Sequence, residues 1–169
     1  PALIALGAEM VIRTADGERV VPAEQYFVGP GTDITRMTML ERGDLLTSIR
    51  LPATWAASGE PGRVQYYFEK IRDRKVWDFA LVSVASVMVT TGSTIDRMRL
   101  VVNGVAARPL RLQAVEEYAR GKPRNEATAV VAGNMAIEGA QPLKFNAFKV
   151  PLMRNLVKRA IRGVEEVSW

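Results

Sequence analysis

The hydrophobic pattern of the chain is strand-like at first and becomes helical after residue 110. Glu9 to Thr14 alternates apolar and polar positions and predicts a short strand. Ala15-Asp16-Gly17-Glu18 supplies an Asp-Gly hairpin turn, with Arg19-Val20-Val21 as the return strand. Pro22 to Phe27 has room for one helical turn before Gly29-Pro30-Gly31 breaks it. The turn Glu41-Arg42-Gly43-Asp44 leads into a strand from Leu45 to Leu51, stopped by Pro52. Residues 53–62 carry Gly59, Pro61 and Gly62 and read as a loop between two lobes. Beyond it, Val64, Tyr66 and Phe68 alternate on one face of a strand. Phe79 to Val89 is almost continuously apolar and Val-rich, the pattern of a central strand covered on both faces. A turn at Thr91-Gly92-Ser93 and a strand from Ile95 to Val102, closed by Asn103-Gly104, complete three strands joined by short turns. That predicts an antiparallel sheet.

Three helices follow. Leu112, Val115, Glu116 and Ala119 begin the first, between Pro109 and Gly121. Glu126 to Glu138 forms the second, with Ala127, Val130, Val131, Met135 and Ile137 as its apolar positions. Gly133 inside it costs about 1 kcal/mol relative to Ala. In the third, Leu152, Met153, Leu156, Val157, Ala160, Ile161 and Val164 form one apolar stripe. Lys158, Arg159 and Arg162 crowd its last turns, where cations favour the helix dipole. Strands followed by helices give an α+β fold, with about three helices against a three-stranded antiparallel sheet.

Composition narrows the chemistry. The 169 residues allow one domain or two small lobes. There is no cysteine and no histidine, which excludes disulfides, thiolate zinc sites and any iron–sulfur cluster held by this chain. Ser-His-Asp and cysteine nucleophile chemistry are excluded too. Redox chemistry here would need an organic cofactor or a partner chain to carry the electrons. No apolar run reaches the roughly 18 residues of a membrane helix. The chain starts at Pro1, without Met and directly in an apolar segment, and reads as a processed product or a piece of something longer. The net charge of +5 raises nucleic acid as a partner. However, the basic residues are mixed with acids and no aromatic-basic platform repeats, so a solvated surface is the better reading.

Chemistry-bearing candidates are few. Arg72-Asp73-Arg74-Lys75-Val76-Trp77-Asp78 concentrates charges and an indole between two strands. From pattern alone it is a solvated hairpin tip. Lys70 on the adjoining strand and the indole would also suit an anionic heteroaromatic cofactor, by charge and by stacking. Gly29-Pro30-Gly31 and Gly59-Glu60-Pro61-Gly62 match no phosphate-binding pattern and read as turns. Glu116-Glu117 and Glu165-Glu166 are adjacent helix residues that do not face each other, and read as surface. The seven methionines, Met37 among them, read as core filler.

Five stretches resemble the flavoprotein (medium) subunit of the molybdenum hydroxylases, the family of carbon monoxide dehydrogenase and bacterial xanthine dehydrogenase. Two are Phe68-Glu69-Lys70-Ile71-Arg72-Asp73-Arg74 and Trp77-Asp78-Phe79-Ala80-Leu81-Val82-Ser83-Val84-Ala85. The others are the segments from Gly43 to Pro52, from Asn103 to Arg111 and from Pro142 to Leu152, in the same order as in the family. The resemblance implies the end of an FAD-binding lobe at residues 1–55 and a flavoprotein C-terminal-like domain at 63–169. It implies FAD between lobes, with Leu46 on the flavin nucleotide, Lys70 at its polar edge, and the loop from Arg72 through Trp77 to Asp78 beside the isoalloxazine. A cation there would favour the anionic reduced flavin. The family's glycine-rich pyrophosphate segments have no counterpart in this sequence, so FAD would be shared with an N-terminal FAD lobe, as chain or segment.

The family also implies an oxidoreductase complex in the cytoplasm, built as a dimer of heteromers. An iron–sulfur small subunit would carry [2Fe–2S] clusters and a molybdopterin large subunit the molybdenum cofactor. A flavin-free assembly subunit of such a complex is the alternative, and a nucleic-acid module rests on the basic pI of 9.8 alone.

Overall fold

A computed structural model describes residues 1–55 and 62–163. The chain opens with a short helix, α1 (Ala2–Leu6), closed by Gly7 at φ +69°. β1 (Glu9–Thr14) and β2 (Gly17–Pro22) form the hairpin expected around Asp16-Gly17. The single turn α2 (Ala23–Tyr26) follows, and β3 (Leu45–Arg50) then pairs with β1 to give the order β2-β1-β3. A 3-10 turn at Ala53–Trp55 ends the first part of the chain. The second sheet runs β4-β5-β6-β7, antiparallel throughout, from β4 (Arg63–Ile71), β5 (Val82–Thr91), β6 (Thr94–Asn103) and β7 (Leu110–Arg111). Helices α3 (Gln113–Ala119), α4 (Glu126–Ala136) and α5 (Lys149–Arg162) follow. The α+β order is as expected.

β5 is buried along its length because both faces of the sheet are covered. On one face Val82, Val84 and Met88 join Leu100 and Val102 of β6 against Val115, Ala132, Leu156 and Ile161 of the helices. On the other, Ala85 and Val101 meet Ile4 and Ala5 of α1, in a core shared with Met10, Ile12 and Val21. α1 is thus wedged between the two sheets, a role that its five residues are too few to show as a period.

Several expectations are corrected. The sheet has a fourth strand: β7 pairs Arg111 with Val101, and two residues are too short to alternate. β5 begins at Val82 and not at Phe79, because pairing of Ile71 with Val82 closes the hairpin and leaves 72–81 as loop. Tyr66 and Phe68 lie on an exposed face of β4, whereas Tyr67 and Ile71 pack on the helical core. In α4 the buried residues are Thr128, Ala129, Ala132, Gly133 and Ala136, while Val130 and Val131 are exposed. α5 comes so close that a Cβ on Gly133 would stand 2.9 Å from the Arg154 carbonyl oxygen. Met37 is exposed at a loop, not core. Val164, Glu165-Glu166 and the Gly59–Pro61 turn lie outside the described residues.

Candidate functional site

β4 is the edge strand of its sheet, and Tyr66, Phe68 and Lys70 fall two residues apart on it, so they project to the same side. On that side runs an apolar groove of about 250 Å³. Ala2, Ala5 and Leu6 of α1, Tyr66 and Phe68 of β4, and Ala85 and Ser86 of β5 line it. Small residues and two aromatic rings thus share its lining. Trp55 fixes one end: its indole N–H donates to the Leu6 carbonyl at 3.0 Å, and its own carbonyl accepts from the Tyr66 hydroxyl at 3.1 Å. The Arg97 guanidinium covers the Trp55 ring at 5.0 Å.

At the other end Lys70, half-buried, donates from Nζ to the Asp78 carbonyl at 2.8 Å. The ammonium keeps two further protons for another acceptor. The Asp78 carboxylate accepts from the Arg74 backbone N–H at 3.1 Å, from Nε at 3.0 Å and from Nη2 at 2.8 Å. The Arg74 bonds hold its pKa below the ordinary 3.8. This clamp closes the 72–78 loop and leaves Trp77 fully exposed, with Arg72 exposed beside it. The loop is therefore ordered by its own charges, not merely solvated by them.

On the opposite side of β4, the Tyr67 hydroxyl donates to the Glu69 carboxylate, which pairs with Arg159 of α5 at 2.9 Å. Burial, reinforced by Glu69, raises the Tyr67 pKa. The strand that carries Lys70 is thereby tied to α5.

The structure thus brings Lys70 and Asp78 together with Arg72 and Trp77 on the loop between them. Leu46 is elsewhere: it sits on β3 opposite Ile12, packed at the edge of the core around α1. Sequence reasoning missed the α1 groove and the exposure of the Tyr66–Phe68 face. It also missed Glu116, which is 6% exposed. That carboxylate accepts the Leu100 backbone N–H at 2.9 Å and pairs with Arg111 at 2.7 Å, and Arg111 reaches on to Glu24 of α2 at 3.0 Å. The signal was in the helical period, which put Glu116 on the same stripe as Val115 and Ala119. Among the described residues, no group of His, Cys, Asp and Glu side chains could hold a metal ion. Also among them, no helix is long and apolar enough to cross a membrane.

Comparison with known proteins gives this geometry a family. Residues 66–164 match the CO dehydrogenase flavoprotein C-terminal domain, and residues 1–54 match the FAD binding domain in molybdopterin dehydrogenase. The chain is similar to the carbon monoxide dehydrogenase medium chain of Hydrogenophaga pseudoflava, 32% identical over 168 residues, which cover 96% of this chain and 54% of that one. It is also 32% identical over 124 residues to the glyceraldehyde dehydrogenase medium chain of Sulfolobus acidocaldarius, covering 73% of this chain and 40% of that one. Among solved structures, carbon monoxide dehydrogenase from Hydrogenophaga pseudoflava superposes with a TM-score of 0.79 at 30% identity, over 93% of this chain and 52% of that one. Quinoline 2-oxidoreductase from Pseudomonas putida 86 gives 0.77 at 25% identity, over 94% and 52%. The chain spans about half the length of these relatives. It belongs to the CO dehydrogenase flavoprotein C-terminal domain family, and corresponds to the C-terminal part of the FAD-binding medium subunit of molybdenum hydroxylases.

Proposed function

We propose that this chain is part of an FAD-binding electron-transfer subunit in a multi-subunit molybdenum hydroxylase. Residues 1–55 would close the FAD-binding lobe and 63–169 form the flavoprotein C-terminal-like domain. One observation carries the reading: Tyr66, Phe68 and Lys70 share a face of β4, and the two rings line an apolar groove together with the small residues Ala2, Ala5, Ala85 and Ser86. A planar heteroaromatic ring with an electron-rich edge fits that combination of aromatic rings, small residues and a neighbouring ammonium. Lys70 would meet the polar edge of the flavin, with two protons still to give. Trp77 would stand beside the ring, with Arg72 and the clamped Asp78 fixing the loop around it. Leu46 would contact the nucleotide from the three-stranded sheet. Among the described residues nothing resembles a glycine-rich cradle for the pyrophosphate, so that part of FAD would fall to an N-terminal FAD lobe.

Bound flavin would supply the exchange of electrons between one-electron donors and an acceptor. The donors would be [2Fe–2S] clusters on an iron–sulfur small subunit, reduced in turn from the molybdenum cofactor of a molybdopterin large subunit. The whole would be a dimer of heteromers in the cytoplasm. The absence of cysteine and histidine agrees with metal chemistry carried by other chains.

The test is the visible flavin spectrum of the purified complex containing this chain. Lys70→Ala and Trp77→Ala are expected to lower flavin content or shift its absorption, with the complex still assembled. An unchanged flavin signal in both variants would remove these residues from the cofactor site. A fully assembled complex without flavin would favour a structural assembly subunit.

A further inference from the structure

Two loops from different parts of the chain face each other beside the Glu24–Arg111 ion pair. One joins α2 to β3. It is closed at its base by pairing of Phe27 with Thr38 and by the Val28 N–H, which donates to the Met37 carbonyl at 3.0 Å. Within it the Gly29 carbonyl accepts the Thr32 N–H at 2.9 Å and the Asp33 N–H at 3.1 Å, so the turn expected at Gly29-Pro30-Gly31 is formed. The other loop, 104–109, joins β6 to β7. Arg111 of β7 binds Glu24 of α2 at 3.0 Å, which sets Arg108 of that loop against Gln25 and the glycine turn.

The cavity between them measures about 490 Å³, within the range of small-molecule sites. It is lined by Gln25, Phe27, Val28, Thr32 and Arg108 and by the two glycines of the turn. The lining thus holds one cation and no carboxylate. Arg108 pairs with no carboxylate among the described residues, whereas Arg19, Arg36 and Arg111 each hold one. The acids next to the cavity are already engaged: Asp33 by Thr35 and Arg36, and Glu24 by Arg111. Also among the described residues, the Gln25 amide, the Thr32 hydroxyl and the Gly29 and Gly31 N–H groups have no acceptor.

This set of donors selects between anions. The fork of one arginine satisfies both oxygens of a carboxylate. A phosphate ester presents three acceptor oxygens and up to two charges, and takes donors beyond that fork. Here a hydroxyl, an amide and backbone N–H groups stand around the cavity with the guanidinium. Phe27 and Val28 add an apolar wall. The Phe27 ring is half-buried and meets the Tyr26 ring edge-on at 5.3 Å, which holds it in place. An organic phosphate with a ring or other apolar body therefore fits better than a bare anion.

We propose that the cavity between the Gly29–Thr32 turn and Arg108 binds the phosphate of a small phosphorylated molecule other than FAD, with the apolar part of that molecule on Phe27 and Val28. Arg108 supplies the charge, and Thr32 and Gln25 meet the remaining oxygens. The two loops belong to the parts of the chain that separate family models match, so a bound phosphate would bridge them. The inference does not rest on the flavin reading, since neither Lys70 nor Phe68 lines this cavity. A phosphate of FAD is the other source of the same chemistry, and the test separates the two.

The test is calorimetric titration of the 169-residue chain with phenyl phosphate. One-to-one binding is expected, tighter than that of inorganic phosphate, which lacks the ring, and than that of benzoate, which lacks the third oxygen. Arg108→Ala is expected to weaken it about tenfold or more, with Arg108→Lys recovering part of the loss, and Thr32→Val to weaken it about threefold. Both residues are exposed, so these variants should keep the thermal midpoint of the parent. Arg13→Ala, the same charge loss on β1, should leave binding unaltered, as should Lys70→Ala, which acts only on the proposed flavin site. No binding of phenyl phosphate overturns the proposal, as does equal weakening by Arg13→Ala, which would make it a net-charge effect. Benzoate bound as tightly as phenyl phosphate would make this a carboxylate site and overturn it too. Displacement of phenyl phosphate by FAD would assign Arg108 to the flavin nucleotide and overturn a separate ligand.

Discussion

Asp78 shows how one side chain turns a charged sequence into a shaped loop. Its carboxylate closes three hydrogen bonds from Arg74, and its carbonyl takes the Lys70 ammonium. A depressed carboxyl pKa means that the clamp contributes fully above the ordinary 3.8 and is lost as pH falls below it, through the folded value. Hydrogen exchange at the Arg74 amide is therefore expected to be slow near neutrality and to lose its protection below about pH 4. Asp78→Ala should show the unprotected behaviour at every pH. Protection unchanged in that variant would mean that the clamp does not order the loop. The residue types in this loop were visible in the sequence, and the pairing of Arg74 with Asp78 is four residues apart. What could not be read is that the pair encloses Lys70, because that contact depends on where β5 starts.

Helix α4 illustrates the same limit at the scale of an element. Its period gave a helix from Glu126, capped in the structure by the Asn125 side chain accepting the Thr128 N–H at 3.0 Å. Its buried face was misread because Val130 and Val131 outrank Ala129 and Ala132 in hydrophobicity, whereas close approach of α5 selects small residues. Gly133 is the point of closest contact, with the Arg154 carbonyl and the Lys158 Cγ within 3 Å of a notional Cβ. Gly133→Ala gains about 1 kcal/mol in helix propensity. It should nonetheless destabilise the protein by about 1–3 kcal/mol, since a backbone carbonyl has to move. Thermal unfolding checks this: a raised midpoint would show that α5 can give way. β5 was legible as an element for the opposite reason. A strand covered on both faces is apolar whatever its partners are, although its first residue depends on pairing with β4.

The whole molecule is held together across its two sheets by α1 and by one ionic chain. Glu24 of α2, Arg111 of β7 and Glu116 of α3 are linked in series, and Arg99 of β6 donates to the Ile4 carbonyl of α1 at 3.3 Å. Two family models match the two parts of the chain, yet Ala85 and Val101 of the second part complete the core of the first. Denaturant unfolding should therefore be a single transition by every probe. Glu116→Ala leaves Arg111 half-paired and the Leu100 N–H without its acceptor, and should cost about 3 kcal/mol. Glu116→Leu together with Arg111→Met should cost less, because no buried charge is left alone. Two separate transitions would refute the shared core. By itself the sequence determined the α+β order, the hairpins, the stripe of α5, the absence of cysteine and histidine and the family resemblance, because periodicity, turn residues and composition are local properties. Only the tertiary structure decided which face of β4 stays open, which side of α4 is buried, and that Glu116 lies inside. It also decided that Trp77, Phe79 and Phe145, up to 68 residues apart, are all held out of the core. Those outcomes depend on contacts between distant segments, which local pattern does not encode.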